Sequence, residues 1–274
     1  MIKIKKWMML SLFLGLLAGG EAFATERIFT YTYEPETIPK GAWEFENWVT
    51  ARLGRNKTVG QDDYNRWDFR QELEYGVTDN YLLSVYLNQK AENFEDPATG
   101  LDSDSSEFEG VSIENKFLVM DPATHRVGLA LYIEPTFAPD ETELEEKIIL
   151  GQRSGLWKWA LNLTHATVWA DDSDEVEGEI EVTFGLSREL NKQWSLGVEF
   201  RNHNEIEDYE EWKHTAFFAG PVVSYRHGDW WVTVTSLFQF YGDNNVNPDP
   251  DGEKNFVLDE HEYVNVRCIV GLSF

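Results

Sequence analysis

From residue 42 onward, apolar side chains return at every second position, a spacing that gives an extended strand one apolar and one polar face. The final segment is typical: Val266, Cys268, Val270, Leu272 and Phe274 share one face, and Asn265, Arg267, Gly271 and Ser273 the other. The same alternation predicts twelve strands, over residues 42–53, 64–77, 81–90, 111–120, 127–137, 143–152, 159–169, 179–187, 194–201, 215–225, 230–241 and 263–274. In the first, Trp43, Phe45, Val49 and Leu53 oppose Glu44, Glu46, Thr50 and Arg52; in the second, Trp67, Phe69, Leu73, Tyr75 and Val77 oppose Arg66, Asp68, Arg70, Glu72 and Glu74. Pro135 and Pro221 fall inside two of these segments, where a missing N–H demands a bulge or an early end. Asn47, Gln71 and Asn115 interrupt apolar faces.

The connections alternate in length. Short turns at 78–80, 121–124, 154–157, 190–192 and 226–229 are separated by mostly longer stretches at 56–62, 92–107, 138–142, 171–176, 203–212 and 242–260, which are richer in Asp, Glu and Asn. Short turns on one side and long polar loops on the other, with an even strand count, describe a closed, up-and-down antiparallel sheet that crosses a membrane. Aromatic residues support the same plan, because rings with one apolar and one wet end settle at membrane interfaces. Trp43, Tyr75, Tyr81, Trp157, Trp159, Trp194, Tyr225, Trp230 and Phe274 fall at the short-turn side; Tyr64, Trp169, Phe200 and Tyr241 mark the opposite rim. The expected fold class is therefore all-β, a transmembrane β-barrel of about twelve strands. The competing arrangement is a soluble periplasmic β-sandwich that binds or hydrolyses glycans with its Trp residues.

Lys3, Lys5 and Lys6 precede an apolar run from Trp7 to Leu17, and Ala22-Phe23-Ala24 supplies a small-x-small cleavage pattern, so residues 1–24 read as a secretory signal. The expected organisation is signal 1–24, periplasmic N-terminal segment 25–41 and barrel 42–274. Whether residues 25–40 plug the pore is left open at this stage. Removing 1–24, with three Lys and one Glu, moves the formal charge from −26 to −28, a balance that repels nucleic acid and anionic membrane surfaces. The single cysteine, Cys268, cannot form an internal disulfide, so stability must come from packing or from closure of the sheet.

The terminal Val266-x-Cys268-x-Val270-x-Leu272-x-Phe274 strand, with the loop and girdle pattern, resembles the outer-membrane β-barrels of Gram-negative bacteria. The opening 39–46, Pro-Lys-Gly-Ala-Trp-Glu-Phe-Glu, and Phe218-Ala219-Gly220-Pro221 look similar to uncharacterised acidic, porin-like barrels. The resemblance implies the cell outer membrane as location, lipid as surroundings and recognition of Phe274 by the outer-membrane assembly machinery. It transfers no functional residues, since this class includes solute channels, lipid hydrolases and autotransporter domains.

The polar face carries both signs of charge. Glu44, Glu46, Arg52, Arg66, Asp68, Arg70, Glu72, Glu74, Arg201 and Arg267 are the candidate pore-lining residues, and because the first, second and last strands adjoin in a closed barrel, most of them share one wall. Such a constriction selects small solutes, neutral or cationic, by sign and size. The alternative is that the charges neutralise one another as filling, in a non-conducting barrel with a structural or surface-binding role, since twelve strands fall between filled and open barrels. Acidic loops such as 171–175 and 205–211 offer hard oxygen ligands suited to Ca2+ or Mg2+. Asn247, Asp249 and Asp251 have calcium-loop spacing, although Pro248, Pro250 and Leu258 depart from that pattern. No other cofactor is expected. Glu179 and Glu181 resemble the paired carboxylates of a retaining glycosidase strand, but Phe184 stands near where a further acid is needed, and there is no Gly-x-Ser-x-Gly. The chain is expected not to be an enzyme, and His203 and His214 are read as flanking a loop.

Overall fold

The computed structural model describes residues 27–55, 62–96, 99–171, 176–245, 255–258 and 261–274. Twelve strands run through them: β1 Trp43–Leu53, β2 Asp62–Thr78, β3 Tyr81–Asp96, β4 Leu101–Met120, β5 Gly128–Phe137, β6 Glu141–Ser154, β7 Trp157–Ala170, β8 Val176–Glu189, β9 Trp194–Glu207, β10 Glu211–His227, β11 Trp230–Asn244 and β12 Val264–Ser273. Each pairs antiparallel with its sequence neighbours, and β1 pairs with β12 from Glu44↔Ser273 to Leu53↔Val264, closing the sheet. The seam is finished by Trp43 and Phe274, which exchange N–H···O bonds of 3.1 and 2.9 Å. Closure leaves no free edge of unpaired amides facing lipid. A single closed ring excludes the sandwich.

The alternation in sequence becomes an inside and an outside. In β1 the side chains of Glu44, Glu46, Trp48 and Thr50 are buried, while outward positions along the wall carry exposed Leu73, Val85, Leu87, Phe117, Leu131, Ile148, Leu163, Phe200, Phe238 and Val270. A belt of exposed Leu, Val, Ile and Phe around a buried charged interior is the inverse of a water-soluble core and fits lipid. Trp43, Trp157, Trp194 and Trp230 stand exposed beside the short turns, with Trp43 against Tyr75 and Trp194 against Tyr225 at ring separations of 4.5 and 4.6 Å. Tyr64, expected in the outer girdle, is instead buried inside, and its hydroxyl donates to Glu92 at 2.5 Å. Among the described residues no helix is long and apolar enough to cross a membrane.

The strands run further than the apolar alternation. Most of the residues expected as a loop at 92–107 continue the β3–β4 ladder, with Glu92↔Ser105 through Asp96↔Leu101 paired. Likewise β9 and β10 extend to a three-residue turn at 208–210, in which Asp208 and Tyr209 have positive φ of 50° and 56° and Glu210 N–H bonds Glu207 O at 2.9 Å. Beyond the lipid both faces are polar, so the pairing persists after the pattern has vanished. Neither proline ends its strand. Pro221 stays paired with Val198 on β9, while the ladder to β11 skips between Ala219↔Phe238 and Val222↔Thr235. Pro135 pairs with Leu144, and the β4 ladder skips between Ser112↔Thr136 and Asn115↔Ile133. The polar intruders on the outer face find partners, Gln71 donating to Asn47 at 3.4 Å and Tyr81 to Asn115 at 2.8 Å.

Candidate functional site: the occupied lumen

The described part of the N-terminal segment runs inside the barrel, with Ile28, Phe29, Thr30, Tyr31, Thr32, Tyr33 and Glu34 all buried. It leaves the short-turn rim where Gly41 N–H bonds Gly76 O at 2.7 Å and Lys40 N–H bonds Asp79 Oδ1 at 3.0 Å. Lys158 on β7 then meets Glu36 at 2.9 Å and Glu34 at 3.6 Å. Burial alone would raise the Glu36 carboxyl, but the Lys158 ammonium outweighs it and holds Glu36 below its usual range. Further in, Asn162 accepts from Tyr33 N–H at 2.6 Å and donates to Tyr33 O at 2.9 Å.

The innermost turn is held by one carboxylate. Glu199 on β9 accepts the backbone N–H groups of Thr30, Tyr31 and Thr32 at 3.0, 2.9 and 2.9 Å, and also the Thr235 hydroxyl. The chain then doubles back, Ile28 N–H bonding Glu34 Oε1 at 2.9 Å and Arg27 O accepting from Thr233 at 2.5 Å. Glycines in the wall make room for it: a Cβ at Gly185 would stand 2.6 Å from the Phe29 ring, and one at Gly151 2.7 Å from Pro35.

Charge is sorted along the barrel axis. Toward the short-turn end Glu44 faces Glu74 and Glu46 faces Glu72 across the β1–β2 pair, and Glu114 is buried nearby on β4. Trp231 and Ser273 donate to Glu44, Trp48 to Glu46 and Tyr86 to Glu114. Arg27 of the inserted segment approaches Glu46 at 3.8 Å while its guanidinium lies over Tyr33 and Trp48, 4.0 and 4.5 Å from the ring centres. Toward the long-loop end, Arg52 and Arg66 share Asp68 at 2.6 and 2.5 Å, Arg70 meets Glu134 at 3.1 Å and Arg201 meets Glu181 at 2.5 Å. Arg267 donates to Thr50 at 2.9 Å and to Thr30 O at 3.3 Å, and lies 4.0 Å from the Tyr31 ring centre.

The outer mouth is narrowed as well. The described residues of the connection from β11 to β12, 255–258 and 261–263, fold inward: Val257, His261 and Glu262 are buried, Val257 N–H bonds Gln239 at 2.7 Å, and Glu262 lies 3.9 Å from Arg52. Among these groups His261 lies outside the spanning strands. Burial, then His203, His214, Arg201 and Arg52, holds its imidazole well below the ordinary 6.5.

All ten candidate lining residues are on inward faces, and eight of them, on β1 and β2, form the shared wall with Arg267 of β12; Arg201 stands apart on β9. Glu181 is already engaged by Arg201 and lies 3.5 Å from His203, so the Glu179/Glu181 pair does not stand as two free acids. Asn247, Asp249 and Asp251 lie outside the described residues, as do residues 1–26 and 172–175. Two features had no sequence signal: Glu199 is one of many inward acids, and the buried group His203, His214 and His261 is assembled by barrel closure from residues far apart in the chain.

A family of unknown function, DUF6662, matches residues 21–147 and 157–274. The chain belongs to that family. No curated protein matches the sequence. In structure, this DUF6662 member is similar to an outer-membrane channel of Pseudomonas putida F1, with a TM-score of 0.62 and 10% identity over 90% of this chain and 100% of that one. It is also similar to the β domain of the Bordetella autotransporter BrkA, with a TM-score of 0.52 and 9% identity over 86% and 100%. At such identities the likeness is one of fold: an outer-membrane β-barrel, in agreement with the apolar belt and the closed seam.

Proposed function

We propose that this barrel is a narrow channel for small neutral or cationic solutes, closed at rest by its own residues 27–38. The observation that carries the reading is how the lumen is filled. Twelve strands leave a hollow that wall side chains alone do not occupy, and what occupies it is a strap joined at one rim and held by Glu199, Asn162 and Lys158. Polar bonds of this kind exchange for water at a modest net cost, while Ile28, Phe29, Tyr31 and Tyr33 also pack on wall residues such as Val222, Phe218 and Trp48. The acids Glu44, Glu46, Glu72, Glu74 and Glu114 supply the negative field that favours cations once Arg27 withdraws. Lipid surrounds the outer belt, Phe274 is the handle for outer-membrane assembly, and Ca2+ or Mg2+ is a partner for the acidic outer loops.

A second reading is a non-conducting barrel, favoured by the inward fold of Val257, His261 and Glu262 at the opposite mouth. Planar-bilayer recordings separate the two. Protein lacking residues 25–38 behind an intact signal is expected to conduct, with cation preference, where the full-length protein is mostly closed. If the shortened protein keeps the heat-modifiable migration of a folded barrel and still carries no current, the channel reading fails and the structural one stands.

A further inference from the structure

Three of the six histidines in the sequence meet inside the outer mouth. His203 comes from β9, His214 from near the start of β10 and His261 from the inward-folded residues before β12. All three are buried, and one ring nitrogen from each lies within 4.8 Å of the others. The Nε2 atoms of His214 and His261 are 2.7 Å apart. Two neutral imidazoles so placed can share only one proton, and His214 Nδ1, buried as well, has no hydrogen-bond partner. Whichever nitrogen of His214 carries its proton, one polar atom is left unsatisfied in a site closed to water. That is a costly arrangement for a purely structural contact.

A metal ion relieves the Nε2–Nε2 contact, because both nitrogens then offer lone pairs to the ion, and it fixes His214 Nδ1 as the protonated nitrogen. Imidazole nitrogens bind zinc at about 2.0–2.1 Å, so two ligands in a tetrahedral site stand about 3.3 Å apart, and the His214–His261 pair needs to open by well under ~1 Å. A carboxylate is within reach as a fourth ligand, Glu205 Oε2 lying 3.7 Å from His214 Nε2, while Lys213 holds the other oxygen of that residue. His203 Nδ1 is 3.5 Å from Glu181 and 4.0 Å from Glu179. Arg201 Nη2, a donor only, lies 3.3 Å from the same Nδ1, so binding an ion through Nε2 requires Nδ1 to release Arg201 and donate to Glu181, the support that metal-bound histidines commonly receive. Nitrogen-rich ligation selects a borderline transition metal over Ca2+ or Mg2+.

We propose that His203, His214 and His261, completed by Glu205, bind one divalent transition-metal ion of the zinc class. The ion clamps the β11–β12 connection to the β9–β10 wall, because only His261 belongs to that connection and the other ligands are on strands.

The test uses full-length barrel purified in detergent and stripped with chelator. Titration with Co2+ followed by visible absorption, then displacement by Zn2+, is expected to show one ion per chain and the spectrum of a four-coordinate nitrogen-rich site. Loss of an outer supporting group commonly weakens a metal site by about 10- to 100-fold, so His214→Gln or His261→Gln, which remove a ligand, are each expected to weaken binding by at least ~100-fold. Both variants are checked for heat-modifiable migration. A measurement without substitutions guards against misfolding: Zn2+ should protect His203, His214 and His261 from diethyl pyrocarbonate while His125, His165 and His227 stay reactive. Absence of stoichiometric binding, undiminished binding by the two folded variants, or protection spread over all six histidines overturns the proposal.

Discussion

Glu199→Gln is the substitution that most directly tests how the lumen is closed. In the seated state Glu199 Oε1 takes the N–H groups of Tyr31 and Thr32, and Oε2 takes Thr30 N–H and the Thr235 hydroxyl. Gln keeps one acceptor oxygen of the same shape but turns an NH2 group toward Thr30 N–H and the Thr30 and Thr235 hydroxyls, so the hydroxyls must rotate to accept while Thr30 N–H loses its charge-assisted bond and faces another donor. Hydrogen bonds to charged groups contribute about 1.5–3 kcal/mol, and an orphaned buried donor costs about 1–3 kcal/mol; with partial relaxation a net loss of about 2–3 kcal/mol is reasonable. That corresponds to a rise of ~30- to 150-fold in the unseated population. A reporter is available, because Thr32 is buried in the seated state and its hydroxyl has no partner, so Thr32→Cys in a Cys268→Ala background is a mild change. Its labelling by a membrane-impermeant thiol reagent should accelerate by that factor when Glu199→Gln is added, and channel open probability should rise in parallel. If labelling and open probability are unchanged in a barrel that still migrates as folded, then Glu199 does not hold the segment in place.

Other outcomes follow from the same geometry. Gly185→Leu places a Cβ 2.6 Å from the Phe29 ring, an overpacking worth about 1–3 kcal/mol against the seated segment; thiol labelling at position 32 should increase although the substitution lies on the wall. Paired Glu46→Gln and Glu72→Gln in the protein lacking residues 25–38 should reduce the preference for K+ over Cl−, read as a smaller reversal potential in a salt gradient, since these two acids face one another at the short-turn end. In metal-free protein the inward fold of the β11–β12 connection should weaken with acid. His261 is held below 6.5 when buried, so the contribution of its neutral form is complete above about pH 6.5 and is lost as pH falls toward the depressed value. Hydrogen exchange at Val257 and His261, corrected for intrinsic rate, should be faster near pH 5.5 than near pH 7.5, where an unchanged ratio contradicts the assignment.

The wall of this barrel is legible in the sequence because lipid enforces a strict alternation on every spanning residue, and a one-residue slip would expose the whole charged set. Glu44 and Glu46 facing Glu74 and Glu72 could be anticipated once β1 and β2 were recognised as neighbours. The continued β3–β4 ladder at 92–96 and 101–105 was hidden because its residues meet water on both faces and need no alternation. The occupant of the lumen was hidden for a different reason. Phe29, Tyr31 and Tyr33 alternate with Thr30, Thr32 and Glu34, but the run is only six residues long and ends at Pro35, and the partners of the segment, Glu199, Asn162 and Lys158, lie more than 120 residues away on strands legible only by their outward faces. Likewise, His203, His214 and His261 have no spacing that a local motif would reveal; closure of the ring sets their meeting.

The bonds joining Trp43 to Phe274 carry a further consequence. A hoop has no redundant stave: remove one ribbon at either margin and two rows of bare amides confront hydrocarbon, each group costing several kcal/mol. Shortened versions at either margin of the seam should therefore be absent from membranes rather than present in weakened form, and damage to the final few positions should be as lethal to assembly as loss of an entire wall segment.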